Sequence, residues 1–512
     1  MPLDGPPLSA ITPLSEILTA GLASRPDDDA AVSLTERLSY RALDAAAARL
    51  AGAYAALGIR PGARIASLMP NCDTLIVHYL ACFRAGFVAV PLNYRYTAPQ
   101  IDHALAKSGA SLIVHHADRT GDIARLAARP PLGTVTYGAA SDAAASALET
   151  LVATGDPARA PDAPGEDAPA LIMFTSGSTG PAKGVTHTRA TFAAIVASCA
   201  AAFELTAADI VLPGSSMSHL GGLLFSFATL SMGARTLVAR STQAAEILPL
   251  LRQHRPTVLC MLPTALIHLL ADGHADGSDF ASLRLMRSGS DKVPLELEHD
   301  FLALTGLPID EGYGMTELGL ATLNPPRGPI KEGSIGCPQA GMAVSLRGDD
   351  GAEVPAGEIG LAFIRSPGAM AGYWEDPAAT EAVRDGDWLE SGDLMTADAD
   401  GYLYFRGRRK QIIVHDGSNI FPQEVEEALV AHPGVVDAGV IGIHDLVHGE
   451  TVRAYVVRAP GSAVTAPELI AFARERIGYR APEEVLFLEE MPLNSTGKVD
   501  RPHLKALAEA HH

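Results

Sequence analysis

The feature that most constrains the fold of this chain is an alternation of strand-like and helix-like segments. Apolar strand-like runs at 63–69, 87–92 and 111–115 are separated by helical patterns at 73–85 and 97–108. This alternation predicts parallel β-α-β units, with helices packed on the faces of a parallel sheet. Further along the chain, the predicted elements are helices at 190–203, 222–231, 263–270 and 294–305 and strands at 209–213, 235–239, 258–262 and 283–287.

Two segments outside this alternation differ from it in composition and mark the boundaries between parts of the chain. Residues 139–170, rich in Ala, Asp, Pro and Gly, are predicted to form a connector, and 334–405 a β-rich region with Gly and Pro turns. A chain of 512 residues is too long for a single core. We therefore predict an α/β fold: a large N-terminal domain of stacked βαβ sheets plus a β-rich subdomain (1–407), a hinge (408–410), and a small mobile α+β C-terminal domain (411–512).

Composition narrows the classes of function. The net charge of −20 argues against a nucleic-acid partner, which requires a basic face. Five cysteines stand far apart without metal-ligand or redox spacing, which favours a reducing cytoplasm. The N-terminus lacks a secretory signal, and the sequence has no apolar run of about 18 residues, so we expect no membrane span.

A glycine- and hydroxyl-rich loop at 174–184 follows the strand-like run 170–173. Glycines allow the backbone to approach a bulky anion, and hydroxyls with backbone N–H groups can donate to it. Lys183 adds a positive charge near the end of the loop. It is preceded by Ala182 and followed by Gly184, so the segment is not the common P-loop. We predict that this loop binds polyphosphate between a strand and a helix; the alternative is a flexible linker.

A second glycine-rich segment at 310–317 contains an aromatic residue, Tyr313, and ends in a hydroxyl and a carboxylate, Thr316 and Glu317. This spacing can leave one aromatic face bare for a planar ring. The alternative is a turn with a solvated acid. The segment 288–292 follows a predicted strand, and its Asp291 and Lys292 can be read simply as solvated charges.

These segments resemble the motifs of the adenylate-forming superfamily, which contains acyl-CoA synthetases, adenylation domains of peptide synthetases, and luciferases. Four further segments are similar to motifs of that family, namely 216–222, 388–394, 415–422 and 492–501. The resemblance implies that the nucleotide is bound by Thr175, Ser176, Gly177, Ser178, Thr179, Gly180, Glu311, Gly312, Tyr313, Thr316, Asp393 and Arg408.

Individual roles also follow from the resemblance. Lys183, Glu317 and Lys498 are expected to be catalytic, with Glu317 and Thr175 holding Mg²⁺. Tyr313 would stack on adenine with Glu311 near its amino group, and Asp393 and Arg408 would contact the ribose. Gly417 is expected to contact CoA and Lys410 to be the hinge residue. The acyl pocket would be lined by His219, Gly221, Gly289 and Gly314.

The implied reaction converts a carboxylic acid and ATP into an acyl-adenylate, which CoA then converts into acyl-CoA. ATP, Mg²⁺ and CoA are the expected cofactors. Small or apolar pocket residues favour an aliphatic or aromatic monocarboxylic acid. Gly312 replaces the Arg of malonate-activating relatives, which makes a dicarboxylate less expected. Two alternatives stay open: a free-standing ligase that loads a separate carrier protein, and a non-catalytic nucleotide-binding protein. We expect a monomer or homodimer.

Overall fold

A computed structural model describes most of the chain, and its strands and helices follow the alternation of the sequence. The described residues are 2–8, 10–138, 147–175, 182–271, 275–325, 328–415, 418–445, 448–494 and 498–510. In chain order, the strands are β1 (Leu3–Asp4), β2 (Asp29–Val32), β3 (Arg37–Ser39), β4 (Arg64–Leu68), β5 (Val88–Pro91), β6 (Leu112–His116), β7 (Thr134–Tyr137), β8 (Pro169–Thr175), β9 (Lys183–Thr188), β10 (Ile210–Gly214), β11 (Arg235–Leu237), β12 (Val258–Met261), β13 (Leu285–Gly289), β14 (Ile309–Met315), β15 (Gly319–Leu323), β16 (Cys337–Pro338), β17 (Ala343–Arg347), β18 (Gly360–Arg365), β19 (Gly372–Tyr373), β20 (Arg384–Asp385), β21 (Trp388–Ala397), β22 (Leu403–Arg408), β23 (Ile413–His415), β24 (Ser418–Ile420), β25 (Val435–Asp445), β26 (Gly449–Arg458) and β27 (Glu484–Leu488). The helices are α1 (Thr19–Ser24), α2 (Tyr40–Ala56), α3 (Asp73–Ala85), α4 (Ala98–Ser108), α5 (Thr120–Arg125), α6 (Ala147–Thr154), α7 (Arg189–Ala202), α8 (Leu220–Ser231), α9 (Ala244–His254), α10 (Pro263–Ala271), α11 (Leu295–Thr305), α12 (Pro377–Glu381), α13 (Pro422–Val430), α14 (Ala466–Ile477) and α15 (Arg501–Ala510).

Two large sheets form the N-terminal part. One has the strand order β19-β9-β8-β5-β4-β6-β7, and the other has the order β16-β15-β14-β13-β12-β10-β11-β2-β3. The central strands of both sheets pair in parallel, which confirms the predicted β-α-β units. A buried cluster joins α2, α3, α7 and α8 to both sheets, with Phe83 ring centroids 5.4 Å from Phe192 and 5.3 Å from Phe227. These helices therefore pack between the sheets.

Two smaller sheets complete the fold. The first contains β1, β17, β18, β20, β21 and β22, and it confirms the β-rich region predicted after residue 334. The second contains β23 to β27 and packs against α13, α14 and α15 around its own buried cluster. The molecule is thus an α/β protein with a large N-terminal domain and a small C-terminal α+β domain. Among the described helices, none is both long enough and apolar enough to cross a membrane.

Two sequence-based predictions about the connections were wrong. The loop at 174–184 was expected to join a strand to a helix, but it joins antiparallel strands β8 and β9, with Thr175 paired to Lys183. The alternating, β-branched run after Lys183 extends this ladder until α7 begins. The expected connector at 139–170 contains α6, whose fully buried Leu148 anchors it in the core. Its Ala-rich composition concealed this short amphipathic helix.

Candidate active site

The ends of β8 and β9 carry the two described flanks of the predicted phosphate loop. Thr175 is the last residue of β8 and lies opposite Lys183, the first residue of β9. The side chain of Lys183 is exposed. The loop residues predicted to bind phosphate, Ser176, Gly177, Ser178, Thr179 and Gly180, lie outside the described residues. The hairpin therefore places a hydroxyl and an ammonium group side by side at the base of this loop.

Tyr373 connects Lys183 with Glu317. Strand β19 pairs with β9, so Tyr373 lies opposite Val185. The Tyr373 hydroxyl donates a 3.0 Å hydrogen bond to Oε1 of Glu317, and Nζ of Lys183 lies 4.7 Å from the centroid of the Tyr373 ring. Burial raises the pKa of Glu317. The sequence analysis missed Tyr373, because a tyrosine in a short edge strand carries no spacing signal of its own.

Strands β14, β21 and β22 bring together the residues expected at adenine and ribose. Asp393 of β21 is paired in register with Arg408 of β22, and their Oδ1 and Nε atoms are 3.2 Å apart. The Tyr313 hydroxyl donates a 2.6 Å hydrogen bond to Oδ2 of Asp393. The ring of Tyr313 lies nearly parallel to that of Phe405, at 26° and 6.4 Å between centroids. Burial raises the pKa of Asp393, while Arg408 opposes this shift.

Glu311 is held in a buried ion pair. The Glu311 side chain is 3% exposed, and its Oε2 lies 3.1 Å from Nζ of Lys292. Its Oε1 accepts a hydrogen bond from the backbone N–H of Val293. Burial raises the pKa of Glu311 to about 7, and Lys292 opposes this shift. The interpretation of Lys292 as a solvated charge was therefore wrong. Sequence spacing could not reveal the pair, because the two residues meet only when β14 lies beside the segment that follows β13.

The glycines expected in the acyl pocket lie where the chain packs closely. A Cβ on Gly289 would be 2.4 Å from the Gly312 carbonyl oxygen, and one on Gly314 would be 2.4 Å from that of Gly319. Both glycines are therefore required by the approach of neighbouring strands. Gly221 differs, because a Cβ there would be 3.6 Å from the Phe225 ring, an ordinary contact.

His219 precedes α8 and is bound to Asn93. Nδ2 of Asn93 and Nε2 of His219 are 3.0 Å apart. The pKa of His219 is lowered to about 4, first by burial and then by the positive charges of Lys498 and Arg95. The imidazole is therefore neutral at pH 7, which agrees with a role in lining the pocket. Asn93 was not predicted from the sequence, because it follows a buried strand as a single amide.

Lys498 faces the N-terminal domain. Burial lowers the pKa of its ammonium group, and among the charges acting on this group are Asp291, Asp393 and Arg408 of the N-terminal domain. Its backbone N–H donates to Oδ1 of Asn494 at 3.1 Å. The structure therefore brings Lys498 to the predicted nucleotide site, although the two are far apart in the sequence.

An ion pair within the C-terminal domain fixes the chain beside Lys498. Nη2 of Arg501 lies 2.6 and 2.7 Å from the two carboxylate oxygens of Glu426, which belongs to α13. The same carboxylate accepts a 2.7 Å hydrogen bond from the Val440 N–H.

Two further residues predicted for the site are Thr316 and Gly417. Thr316 lies between β14 and β15, and its carbonyl oxygen lies 2.8 Å from Nε2 of His187. Gly417, the predicted CoA contact, lies outside the described residues.

Residues of a large and a small domain therefore act on one another at the predicted nucleotide site, an arrangement expected of a two-domain nucleotide-binding enzyme. Residues 18–374 match the family model described as AMP-binding enzyme, and residues 424–498 match the AMP-binding enzyme C-terminal domain. The chain belongs to this family, as its motifs indicated.

Several known proteins are similar over nearly the whole length. A feruloyl-CoA synthase of Amycolatopsis sp is 36% identical over 90% of this chain and 92% of its own. A sulfoacetate–CoA ligase of Cupriavidus necator is 34% identical over 91% of both chains. The crystal structure of ATP-bound MatB from Rhodopseudomonas palustris superimposes with a TM-score of 0.90 at 29% identity, covering 98% of this chain and 99% of the other.

Proposed function

We propose that this protein is an AMP-forming acyl-CoA synthetase. It activates a carboxylic acid with ATP to give an acyl-adenylate and pyrophosphate, and it then transfers the acyl group to CoA with release of AMP. The observation that carries the proposal is the electrostatic influence between Lys498 of the small domain and Asp393, Arg408 and His219 of the large domain. The two relatives named above are a CoA synthase and a CoA ligase, which supports CoA as the thiol.

The first half-reaction brings two anions together, so neutralising charge is the main requirement. The substrate carboxylate is already ionised at neutral pH and needs no general base. Lys183 at the base of the phosphate loop and Lys498 from the small domain place positive charge where negative charge develops. Asp393 accepts hydrogen bonds from the ribose hydroxyls, and Arg408 keeps that carboxylate in position. Fixed placement of both reactants provides the remaining acceleration.

Mg²⁺ fits the residues that the sequence predicted for it. Its preferred ligands are oxygens, including substrate phosphates and water, and it commonly uses only one or two carboxylates. Glu317 offers such a carboxylate: Oε1 accepts from Tyr373, while Oε2 makes no hydrogen bond among the described residues. Thr175 at the end of β8 would add a hydroxyl. A bound Mg²⁺ would neutralise phosphate charge during adenylation.

We propose that the small domain (411–512) rotates about the segment 408–410 between the two half-reactions. Arg409 is paired with Glu390 of the large domain at 2.6 Å. The side chain of Gln411 accepts a 3.4 Å hydrogen bond from Gln423 of the small domain. Lys410 stands between these two attachments and is exposed. Rotation there would withdraw Lys498 and present the loop containing Gly417 to the thiol.

The cysteines form no disulfide among the described residues, and three of them are buried, which supports a cytoplasmic location.

An ATP–pyrophosphate exchange assay over a panel of aliphatic and aromatic acids tests this function. Acid-dependent exchange is expected, followed by AMP release when CoA is added. CoA and a carrier protein bearing phosphopantetheine should be compared as acceptors, and we expect transfer to CoA. If the protein binds ATP but no acid supports exchange, it is a nucleotide-binding protein without this activity.

A further inference from the structure

The guanidinium group of Arg287 is buried and forms no ion pair within the part of the chain that the structure describes. Arg287 lies in the middle of β13 and is 6% exposed. Of its three nitrogens, only Nη2 makes a hydrogen bond among the described residues, to the Gly312 carbonyl oxygen at 3.1 Å. Nε is buried and has no partner there. No carboxylate of the described residues lies within 4 Å of this guanidinium. Burying a charge in this way is costly unless something compensates it.

The two carboxylates that act on Arg287, those of Asp310 and Glu311, are engaged by other partners. Oε2 of Glu311 lies 3.1 Å from Nζ of Lys292. Asp310 is the register partner of Arg287 on β14, but its Oδ1 accepts from the backbone and side-chain nitrogens of Asn324 at 3.1 and 3.0 Å. Burial raises the pKa of Asp310 to about 7, so much of it is protonated near neutral pH. Burial also raises the pKa of the Cys260 thiol to about 12 and that of Cys199 well above its usual value, so both are neutral.

Arg287 lies against the residues that define the proposed acyl pocket. Its Cζ is 5.3 Å from the centroid of the Phe225 ring, and that ring contacts the position of a Gly221 side chain. A Cβ on Gly289 would be 3.0 Å from Nη2 of Arg287. Oγ of Ser215 is also buried without a hydrogen-bond partner and lies 4.0 Å from the same Gly221 position. Two buried polar atoms without a hydrogen-bond partner among the described residues, Nε of Arg287 and Oγ of Ser215, therefore lie near Phe225 and Gly221.

Arg287 is separate from the residues that Lys498 acts on, and Lys498 is the residue proposed to meet the reacting carboxylate. His219, which responds to the charge of Lys498, immediately precedes α8. The titratable groups that act most strongly on Arg287 are Cys260, Cys199, Asp310 and Glu311, and Lys498 is not among them. A group that contacts Arg287 therefore belongs to the far end of the acid.

We propose that Arg287 binds a second anionic group, a carboxylate or sulfonate, at the far end of the acid substrate. This inference rests on the proposed function and names its substrate class. It revises the expectation of an apolar monocarboxylic acid: the body of the acid lies against Phe225 and the small residues, and its far end carries a charge. Arginine suits this role because its planar fork binds a carboxylate through two parallel hydrogen bonds.

The test compares acids of the same shape that differ only in the distal charge. We use 4-carboxybenzoate with 4-nitrobenzoate, and heptanedioate with its monomethyl ester, and measure ATP–pyrophosphate exchange. The wild-type enzyme should prefer the charged member of at least one pair by about 10-fold or more in kcat/KM. In Arg287→Met, this preference should be lost or reversed, because the site then lacks the group that binds the distal charge. 4-Sulfobenzoate distinguishes sulfonate from carboxylate as the preferred anion.

A nearby arginine provides the control. Arg284 precedes β13 and is paired with Asp209 at 2.8 Å, so Arg284→Met should leave the preference unchanged. A preference for the neutral acids in the wild-type enzyme, or an unchanged preference in a folded Arg287→Met variant, would overturn the inference. The comparison of charged and neutral acids with the wild-type enzyme tests the inference even if the Arg287→Met variant does not fold. Exchange with neutral acids alone would leave the proposed function intact, whereas no exchange with any acid would refute both.

Discussion

The Tyr373 hydroxyl donates a 3.0 Å hydrogen bond to the buried carboxylate of Glu317, the expected Mg²⁺ ligand. The same tyrosine ring lies beneath the Lys183 ammonium at 4.7 Å. One aromatic side chain therefore contacts both a carboxylate and a cation beside the predicted phosphate loop. The Tyr373 hydroxyl binds Oε1 of Glu317 and leaves Oε2 without a bond to it. One such oxygen is enough for a single bond to a metal ion.

Removal of the Tyr373 hydroxyl should weaken metal use. In Tyr373→Phe, we expect adenylation to fall about 10-fold at limiting Mg²⁺, since a hydrogen bond to a charged group contributes roughly 1.5–3 kcal/mol, with partial recovery at high Mg²⁺. A Mg²⁺ titration of ATP–pyrophosphate exchange measures this. Tyr402→Phe is the matched control, because Tyr402 also lies under a lysine, Lys331, but its hydroxyl binds the Pro329 carbonyl. Equal effects in both variants would argue against a specific role for Tyr373.

Lys498 is expected to serve only the first half-reaction. Lys498→Ala should lower adenylation by about 100-fold or more, the effect of losing one preorganised electrostatic donor. The same variant, supplied with synthetic acyl-adenylate and CoA, should form thioester at close to the normal rate. Both half-reactions are measured on one preparation, with Lys183→Ala as a second variant defective in phosphate binding. A similar loss in both half-reactions would contradict the two-conformation mechanism.

The Glu426–Arg501 ion pair should position Lys498. Glu426→Gln removes one charge from this partly buried pair. The chain beside Lys498 should then become less fixed, and adenylation should fall about 10-fold while ATP binding stays unchanged. Thioester formation from supplied adenylate should be unaffected. Glu424→Gln on the same helix is the control, since Glu424 pairs with the more exposed Arg480. If thioester formation falls as well, the pair supports the fold of the domain rather than the position of Lys498.

Proline at position 410 should trap the present orientation. Lys410 lies in a 3₁₀ turn, whose φ is close to the value that proline imposes. Lys410→Pro should therefore keep most of the adenylation activity and lose most of the transfer to thiol. Lys410→Ala, which leaves the backbone free, should retain both. Separate assays of adenylation and of thioester formation measure these effects. Equal losses of both activities in Lys410→Pro would show that the hinge lies elsewhere.

His219 should not titrate in the physiological range. The pKa of His219 is lowered to about 4. Its imidazole therefore stays neutral over roughly pH 5.5 to 8, the range in which an ordinary histidine titrates. We expect that its protonation does not affect the pH dependence of adenylation there. His219→Gln should change KM for the acid but leave the shape of the kcat/KM profile as it is in the wild-type enzyme. A limb near pH 6.5 that disappears in the variant would show that His219 acts as an acid or base.

The sequence alone determined the class of fold and the family, and it predicted most of the polar residues at the proposed site. Its alternating apolar periods are local signals, and they predicted helices such as α3 and α11 within one residue. Thr175, Lys183, Glu317, Asp393 and Arg408 were found from motifs because each motif keeps its chemistry within a few consecutive residues.

Only the tertiary structure decided how those residues meet. The positions of Tyr373, Lys292 and Arg287 depend on which strands become neighbours, as when β19 joins β9 and β14 lies beside β13. The same applies to Lys498, whose ammonium group is influenced by the charge of Asp393 in the other domain. Sheet order and domain contacts depend on residues far apart in the chain, and local periodicity does not encode them. The burial of these side chains and the charges around them are therefore known only from the folded structure.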